Sequence, residues 1–206
     1  MADVGKLLVV EDAPAILELL EITLKFKGYQ VISAVDGKEA FEKIAHERPA
    51  LIITDILMPR MDGYAFVHKL RSAPQYADIP VIFLSATYVT PEDKAFAMSL
   101  GATQFIEKPI DTEEFLLTIA ELLTRKEPTS PRPLDNKSFY IGYRARLENK
   151  LRHKGNQAAR AERVLLTLPE SQKAAYQALL EQTLRDRMEI EKELQEVYRV
   201  IEELNK

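Results

Sequence analysis

Residues 51–63 read Leu-Ile-Ile-Thr-Asp-Ile-Leu-Met-Pro-Arg-Met-Asp-Gly: an apolar run that stops on a carboxylate, Asp55, and passes into a turn-forming segment. An apolar run of roughly four to eight residues bounded by polar or turn residues is the pattern of a strand buried on both faces, as in a parallel sheet. Other runs end in a similar way. Residues 7–10 lead into Glu11 and Asp12, residues 81–84 into Ser85, and residues 104–106 into Glu107, Lys108 and Pro109. Open parallel sheets place ligands at the carboxyl ends of their strands, so side chains scattered from position 11 to position 108 are expected to meet along one edge.

Outward from this stretch, strand and helix patterns alternate as far as Lys126. Strands are read at 7–10, 30–34, 51–54, 81–84 and 104–106, and helices near 13–27, 37–47, 63–72, 91–100 and 112–125. Such βα repetition implies an α/β fold, a doubly wound five-stranded parallel sheet with helices on both faces. Pro14 and Pro91 sit in first turns, Thr90 and Asp111 are suited to cap, and Gly28 and Gly101 lie just past helix ends, where a left-handed residue is least costly.

Residues 127–138 change character. Pro128, Pro131 and Pro133 forbid a continuing helix, and the segment reads as a linker. The expected organisation is therefore 1–126, a linker at 127–138, and 139–206. The last part carries an apolar stripe at Tyr140, Leu147, Leu151, Ala158, Ala161, Leu165 and Leu168, interrupted by Arg144 and Lys154. Thr167-Leu168-Pro169-Glu170 fits a capping box, and a second helix then repeats Tyr176, Leu180, Thr183, Arg187, Ile190, Leu194, Val197, Ile201 and Leu204 at spacings of four and three. The pattern predicts a helical hairpin with coiled-coil character. Gly155-Asn156 is a place where its first helix could kink.

Net charge is −4 over 206 residues, divided as 13 basic against 19 acidic residues in 1–126 and 15 against 13 in 127–206. Residues 137–163 hold eight basic and two acidic side chains, and 170–206 six and nine, so the two helices are expected to face each other with complementary charge. The absence of cysteine rules out disulfides and thiolate metal sites. No segment approaches the roughly 20 apolar residues of a membrane span, and the N-terminus lacks a signal-peptide pattern, so a soluble, cytoplasmic protein is expected.

The residues at the strand ends suit phosphoryl chemistry. A carboxylate can attack phosphorus and hold the phosphoryl group as a mixed anhydride if nearby cations neutralise the converging charge. Asp12 beside Asp55 gives Mg²⁺ a second hard oxygen, and Glu11 could reach the same ion directly or through water. Lys108 offers a point charge to a phosphoryl oxygen, and Ser85 a hydroxyl donor.

On these residues the first 126 positions resemble the receiver domain of bacterial two-component response regulators, of the chemotaxis-receiver type. The matching segments are Val9-Val10-Glu11-Asp12, Asp55 to Gly63, Leu84-Ser85-Ala86, and Gly101-Ala102 leading to Phe105-Ile106-Glu107-Lys108-Pro109. The resemblance implies a flavodoxin-like (βα)5 fold. It implies that Asp55 accepts phosphate from a sensor histidine kinase or phosphotransfer protein, and that Glu11, Asp12, Asp55 and the Leu57 backbone carbonyl hold Mg²⁺. Lys108 would contact the phosphoryl group, with a cis Lys108-Pro109 bond, and Ser85 and Phe105 would form the hydroxyl–aromatic switch. Serine and phenylalanine stand here for the commoner threonine and tyrosine, so a tyrosine hydroxyl cannot serve as readout. Such a protein is a phosphoacceptor with only self-phosphorylation and dephosphorylation chemistry.

Two other classes compete. An aspartyl-phosphate hydrolase commonly carries a second acid two residues after its nucleophile, where this chain has Leu57. A nucleic-acid regulator could use the basic helix 137–163, but neither a helix-turn-helix nor an RNA-binding motif is visible. His153 is followed by Lys154 where a kinase histidine has an acid, and His46 and His68 complete no zinc pattern. The hairpin is expected to act by protein–protein interaction on an unknown downstream protein and to form a homodimer. If the turn lies near Leu168, Phe139 faces about Gln195, and an overhang with Val197, Val200, Ile201 and Leu204 would seek a second copy.

Overall fold

The computed structural model describes residues 5–85, 90–125 and 134–206. The chain divides into two compact units, Met1–Leu134 and Asp135–Lys206. In the first, β1 (Lys6–Val10), β2 (Gln30–Ala34), β3 (Leu51–Asp55), β4 (Val81–Ser85) and β5 (Gln104–Glu107) form an all-parallel sheet in the order β2-β1-β3-β4-β5. The connecting helices are α1 (Pro14–Phe26), α2 (Gly37–His46), α3 (Gly63–Ser72), α4 (Pro91–Ser99) and α5 (Thr112–Thr124). This is the doubly wound sheet expected from the sequence. β3, β4 and β5 run one residue further than the apolar runs, so Asp55 and Ser85 are the last residues of β3 and β4 and are fixed by the ladder itself.

Side-chain caps start α2 to α5. Asp36 accepts from Glu39 N–H at 2.8 Å, Asp62 from Ala65 N–H at 3.0 Å, and Asp111 from Glu113 and Glu114 N–H, both at 3.0 Å. Thr90 and Asp93 form a reciprocal capping box on α4. Gly28 and Gly101 take the left-handed conformation, at φ 87° and 93°. Leu20 and Leu24 from α1 and Phe115, Ile119 and Leu122 from α5 pack on Leu7, Val9, Ile53 and Leu84 in one buried cluster. Arg71 on α3 is also buried. Its Nε and Nη2 donate to Gly101 C=O at 3.1 and 2.8 Å and its Nη1 to Ile79 C=O at 2.9 Å, and burial lowers its pKa to about 10. The fork ties α3 to the entry of β4 and to the α4–β5 turn.

The second unit is a helical hairpin of α6 (Asn136–Thr167) and α7 (Glu170–Glu203). Residues 127–133 of the expected linker lie outside the described residues. Asn136, Lys137 and Ser138, read with the linker, are instead the first turn of α6, capped by Asp135 at 2.9 Å from Ser138 N–H. Three further readings need correction. Thr167 forms no capping box: it is still the last residue of α6, and its hydroxyl donates back to Val164 C=O at 3.1 Å, leaving Pro169 at the start of α7. Gly155 does not interrupt α6, because a helix of 32 residues absorbs one glycine's penalty of about 1 kcal/mol. The buried stripe of α6 begins at Phe139 and Tyr143, not at Tyr140.

The expected overhang shrinks to its tip: Val200 and Ile201 are half-buried and Leu204 alone of the four stays exposed. Tyr143 O–H donates to Glu193 at 2.6 Å, Tyr198 O–H to Glu148 at 2.7 Å, and Lys154 pairs with Asp186 at 2.6 Å. This register, with helices of 32 and 34 residues, sets the start of α6 near the end of α7, and Val197 is buried. Starting α6 at Phe139 instead of Asn136, and pairing Tyr143 with residue 191 instead of Glu193, is what puts Val197 outside the hairpin in the sequence reading. The Lys154–Asp186 pair holds the Asp186 carboxyl below the usual range despite the opposing effect of its partial burial.

Candidate functional site

The carboxyl edge of the sheet gathers the acidic residues as the topology requires. Glu11 follows β1 directly, and its N–H donates to Ala34 C=O at 3.0 Å, which continues the β1–β2 pairing one step past the strand. Its carboxylate turns inward: the residue is only 2% exposed, and Oε1 accepts from Ala13 N–H at 3.2 Å. Asp55 is 7% exposed at the end of β3, and Asp12 is exposed beside them. One carboxylate oxygen from each of Glu11, Asp12 and Asp55 lies within 4.8 Å of the others, and this is the one such acidic or histidine group among the described residues.

Lys108 reaches this cluster from β5. Its N–H donates to Ser85 C=O at 2.7 Å, and the Lys108–Pro109 peptide is cis. Its Nζ donates to Glu11 Oε2 at 2.7 Å and to Asp55 Oδ1 at 2.8 Å. The second oxygen of Asp55 accepts from the Leu57 N–H at 2.9 Å. The Asp55 carboxylate is thus oriented from both sides, by an ammonium and by a backbone amide.

The electrostatics follow from burial. Burial pushes the Glu11 carboxyl above its ordinary value, and nearby Asp55 pushes it the same way, against hydrogen bonds from Lys108 and Ala13. For Lys108, burial alone would lower the pKa, but the hydrogen bonds to Asp55 and Glu11 outweigh it and the net shift is upward. Three carboxylates around one ammonium leave a net charge of about −2, all on hard oxygen donors, and such a set fits a divalent cation that takes one or two carboxylates and keeps several waters.

Ser85 is buried at the end of β4, opposite Glu107 in the β4–β5 register, and Phe105 on β5 is buried opposite Phe83. Lys94 of α4 places its Nζ 5.9 Å from the Phe105 ring centre. Ala86 lies outside the described residues. His46 and His153 are exposed and His68 is buried on α3; none joins the acidic cluster.

Sequence reasoning did not find how the loop after Asp55 is held. Gly63 N–H donates to Ile56 C=O at 2.9 Å, and a Cβ on Gly63 would stand 2.3 Å from the Asp55 carbonyl oxygen. Gly37 N–H donates to Met61 C=O at 3.0 Å, and a Cβ there would meet Met61 and Phe66 below 3.0 Å. The only sequence signal for these contacts was a pair of Asp-Gly dipeptides, 36–37 and 62–63, each of which reads as a turn.

Comparison with known proteins adds identity to this geometry. Residues 7–120 match the family model described as response regulator receiver domain. The chain is 36% identical over 131 residues to the response regulator Rre1 of Synechocystis, covering 63% of this chain and 56% of that protein. It is 38% identical over 123 residues to the response regulator MprA of Mycobacterium leprae, covering 60% and 53%. It thus spans about half the length of the curated relatives it matches. Among solved structures, chemotaxis protein CheY4 of Vibrio cholerae matches with a TM-score of 0.54 and 36% identity, over 57% of this chain and 98% of that one. A response regulator from Chloroflexus aurantiacus matches with a TM-score of 0.56 and 30% identity, over 59% and 98%.

Proposed function

The chain belongs to the response regulator receiver domain family, and from that premise we propose that Asp55 accepts a phosphoryl group from a phosphohistidine of a sensor histidine kinase or phosphotransfer protein. In the transfer a carboxylate oxygen of Asp55 forms a bond to phosphorus as the donor's nitrogen–phosphorus bond breaks, and the departing imidazole takes up a proton. Lys108 stands at one Asp55 oxygen and the Leu57 amide at the other, so the carboxylate is presented in a fixed orientation. Glu11, Asp12, Asp55 and the Leu57 backbone carbonyl would hold Mg²⁺, which when bound supplies positive charge to the phosphoryl oxygens. Ser85 would donate its hydroxyl to the phosphoryl group and, with Phe105, form the switch that reports it.

The single observation that carries this reading is the Lys108 ammonium bridging two buried carboxylates at one sheet edge, 2.7 and 2.8 Å from each. The test is labelling with acetyl phosphate and Mg²⁺. Wild type should take up about one phosphoryl group and Asp55→Asn none, whereas full labelling of Asp55→Asn that disappears in His153→Ala would overturn the assignment. A hydrolase reading is weaker because Leu57 stands where a second acid is needed.

No helix among the described residues is long and apolar enough to cross a membrane, and a cytoplasmic location fits receiver chemistry. The hairpin lies beyond the matched residues 7–120 and serves in this reading as the output, through protein contacts and as a homodimer. Two helices cannot enclose a shared seam. Ile190, Leu194 and Val197 are buried, but Tyr176, Leu179, Leu184 and Met188, toward the turn, remain exposed. Covering what remains exposed of each is worth on the order of 1 kcal/mol, and a second hairpin brings an equivalent face.

A further inference from the structure

The loop between Asp55 and α3 carries a strained residue. Arg60 has φ 61°, a left-handed conformation that a long L side chain rarely adopts, and Met61 N–H donates to Pro59 C=O at 2.7 Å across it. Such three-residue turns with a positive central φ are rare and strained, and they persist only where surrounding contacts over-determine them. Those contacts are present. The Arg60 guanidinium pairs through Nη2 with Asp36 Oδ2, and Asp36 is 0% exposed, while its other oxygen caps α2. One residue further along each segment, Gly37 N–H donates to Met61 C=O at 3.0 Å. The far end of the loop is therefore bolted to the first turn of α2 by an ion pair and a backbone bond. Its near end presents the Leu57 N–H to Asp55 Oδ2.

We infer that Arg60 and Asp36 are positioning residues, a latch between α2 and the loop that fixes where the Leu57 backbone stands relative to the Asp55 carboxylate. This rests on the phosphoacceptor reading above. A buried carboxylate paired with a single half-exposed arginine is a costly way to stabilise a turn that glycine would adopt freely. What the pair adds over glycine is a fixed position. With the latch open, the loop keeps its sequence and its caps, but the Leu57 amide and carbonyl lose their register with the acidic cluster. Groups that orient ligands from one step away alter metal affinity by roughly 10- to 100-fold.

The experiment uses the full chain, three single variants and the Arg60→Gly/Asp36→Asn double variant. Arg60→Gly removes the pair and relieves the backbone strain. Asp36→Asn keeps an oxygen to cap α2 and removes the charge. Arg60→Lys keeps a cation. Acetyl phosphate labelling is followed against Mg²⁺ concentration, giving a maximal rate and a half-saturating Mg²⁺ for each protein. Arg60→Gly and Asp36→Asn should each raise the half-saturating Mg²⁺ about tenfold at a temperature well below either melt, with Arg60→Lys recovering part of the loss. Arg60→Gly leaves the buried Asp36 carboxylate without its ion pair and should melt below wild type. The double variant should be no worse than either single one. Wild-type half-saturation and rate in both variants would overturn the latch, as would a loss that only follows a fall in melting temperature. If wild type takes no label at Asp55, the phosphoacceptor reading fails. Amide exchange in the metal-free protein then decides for the latch: faster exchange at Leu57 and Met61 in both variants supports it, and unchanged exchange overturns it.

Discussion

Replacing Lys108 with methionine keeps the length of the side chain and removes the charge that bridges Glu11 and Asp55. In the wild type that ammonium lies 2.7 and 2.8 Å from the two carboxylates, and its side chain is 14% exposed. Breaking a fully buried ion pair by removing one partner costs about 3–5 kcal/mol; for this largely buried site about 2–4 kcal/mol is a fair figure. A unit of this size loses about 4 °C per kcal/mol, so the metal-free variant should melt roughly 8–16 °C below wild type at pH 7.5. The pH dependence has a definite sign. Glu11 already titrates above its ordinary 4.5 because of burial and Asp55, so between that value and its folded pKa the native state binds more protons than the unfolded chain, and stability falls as pH rises. Without Lys108 this window extends upward, and the deficit should shrink on acidification toward pH 5. Mg²⁺ should also rescue the variant more than it stabilises wild type, since it replaces the missing positive charge. Calorimetry with and without Mg²⁺ at pH 5 and 7.5 reads all three effects. A fall under about 2 °C, or a deficit indifferent to both pH and Mg²⁺, would refute the view that Lys108 relieves carboxylate repulsion here.

Other outcomes follow from the same geometry. Mg²⁺ at about 100 times its dissociation constant should stabilise wild type by about 2.7 kcal/mol; an equal gain in Asp12→Ala/Asp55→Ala would move the ion elsewhere. Gly63→Ala should cost about 2–4 kcal/mol in denaturant melts, because its Cβ meets the Asp55 carbonyl at 2.3 Å. Gly155→Ala, with nothing within 4 Å, should gain about 0.5–1 kcal/mol. Leu179→Glu combined with Leu184→Glu should convert a dimer to a monomer in sedimentation with helicity retained, whereas truncation after Val200, which removes only the half-buried Ile201 and the exposed tip at Leu204, should leave the dimer.

What could be read from the sequence and what could not divide along the range of the interactions. Strand runs and their closing residues were legible because burial on both faces forces continuous apolar runs, and parallel topology sends every closing residue to the same edge. Glu11, Asp12, Asp55 and Lys108 could therefore be grouped across 97 positions before any distance was known. The cap residues Thr90 and Asp111 were legible because their partners lie within three positions. The hairpin register was not, since it depends on where α6 begins and on which side chains meet across the pair: a start at Phe139, with Tyr143 set against residue 191 where the contact is to Glu193, left Val197 outside the hairpin. Arg71 reads as an ordinary surface arginine in its own helix, yet it is buried because the carbonyls of Ile79 and Gly101 converge on it from elsewhere in the chain. Arg60 is the sharper case. In sequence it is a charge inside a turn, where solvent exposure is the natural expectation, and more than half of its side chain is indeed exposed. Its significance lies in the partner, a buried carboxylate 24 positions earlier, and no period or local motif joins the two. The strand ends bring Glu11, Asp12, Asp55 and Lys108 together by topology alone, but holding the Asp55 loop in place depends on contacts between α2 and the β3–α3 turn, and these exist only once the sheet has formed.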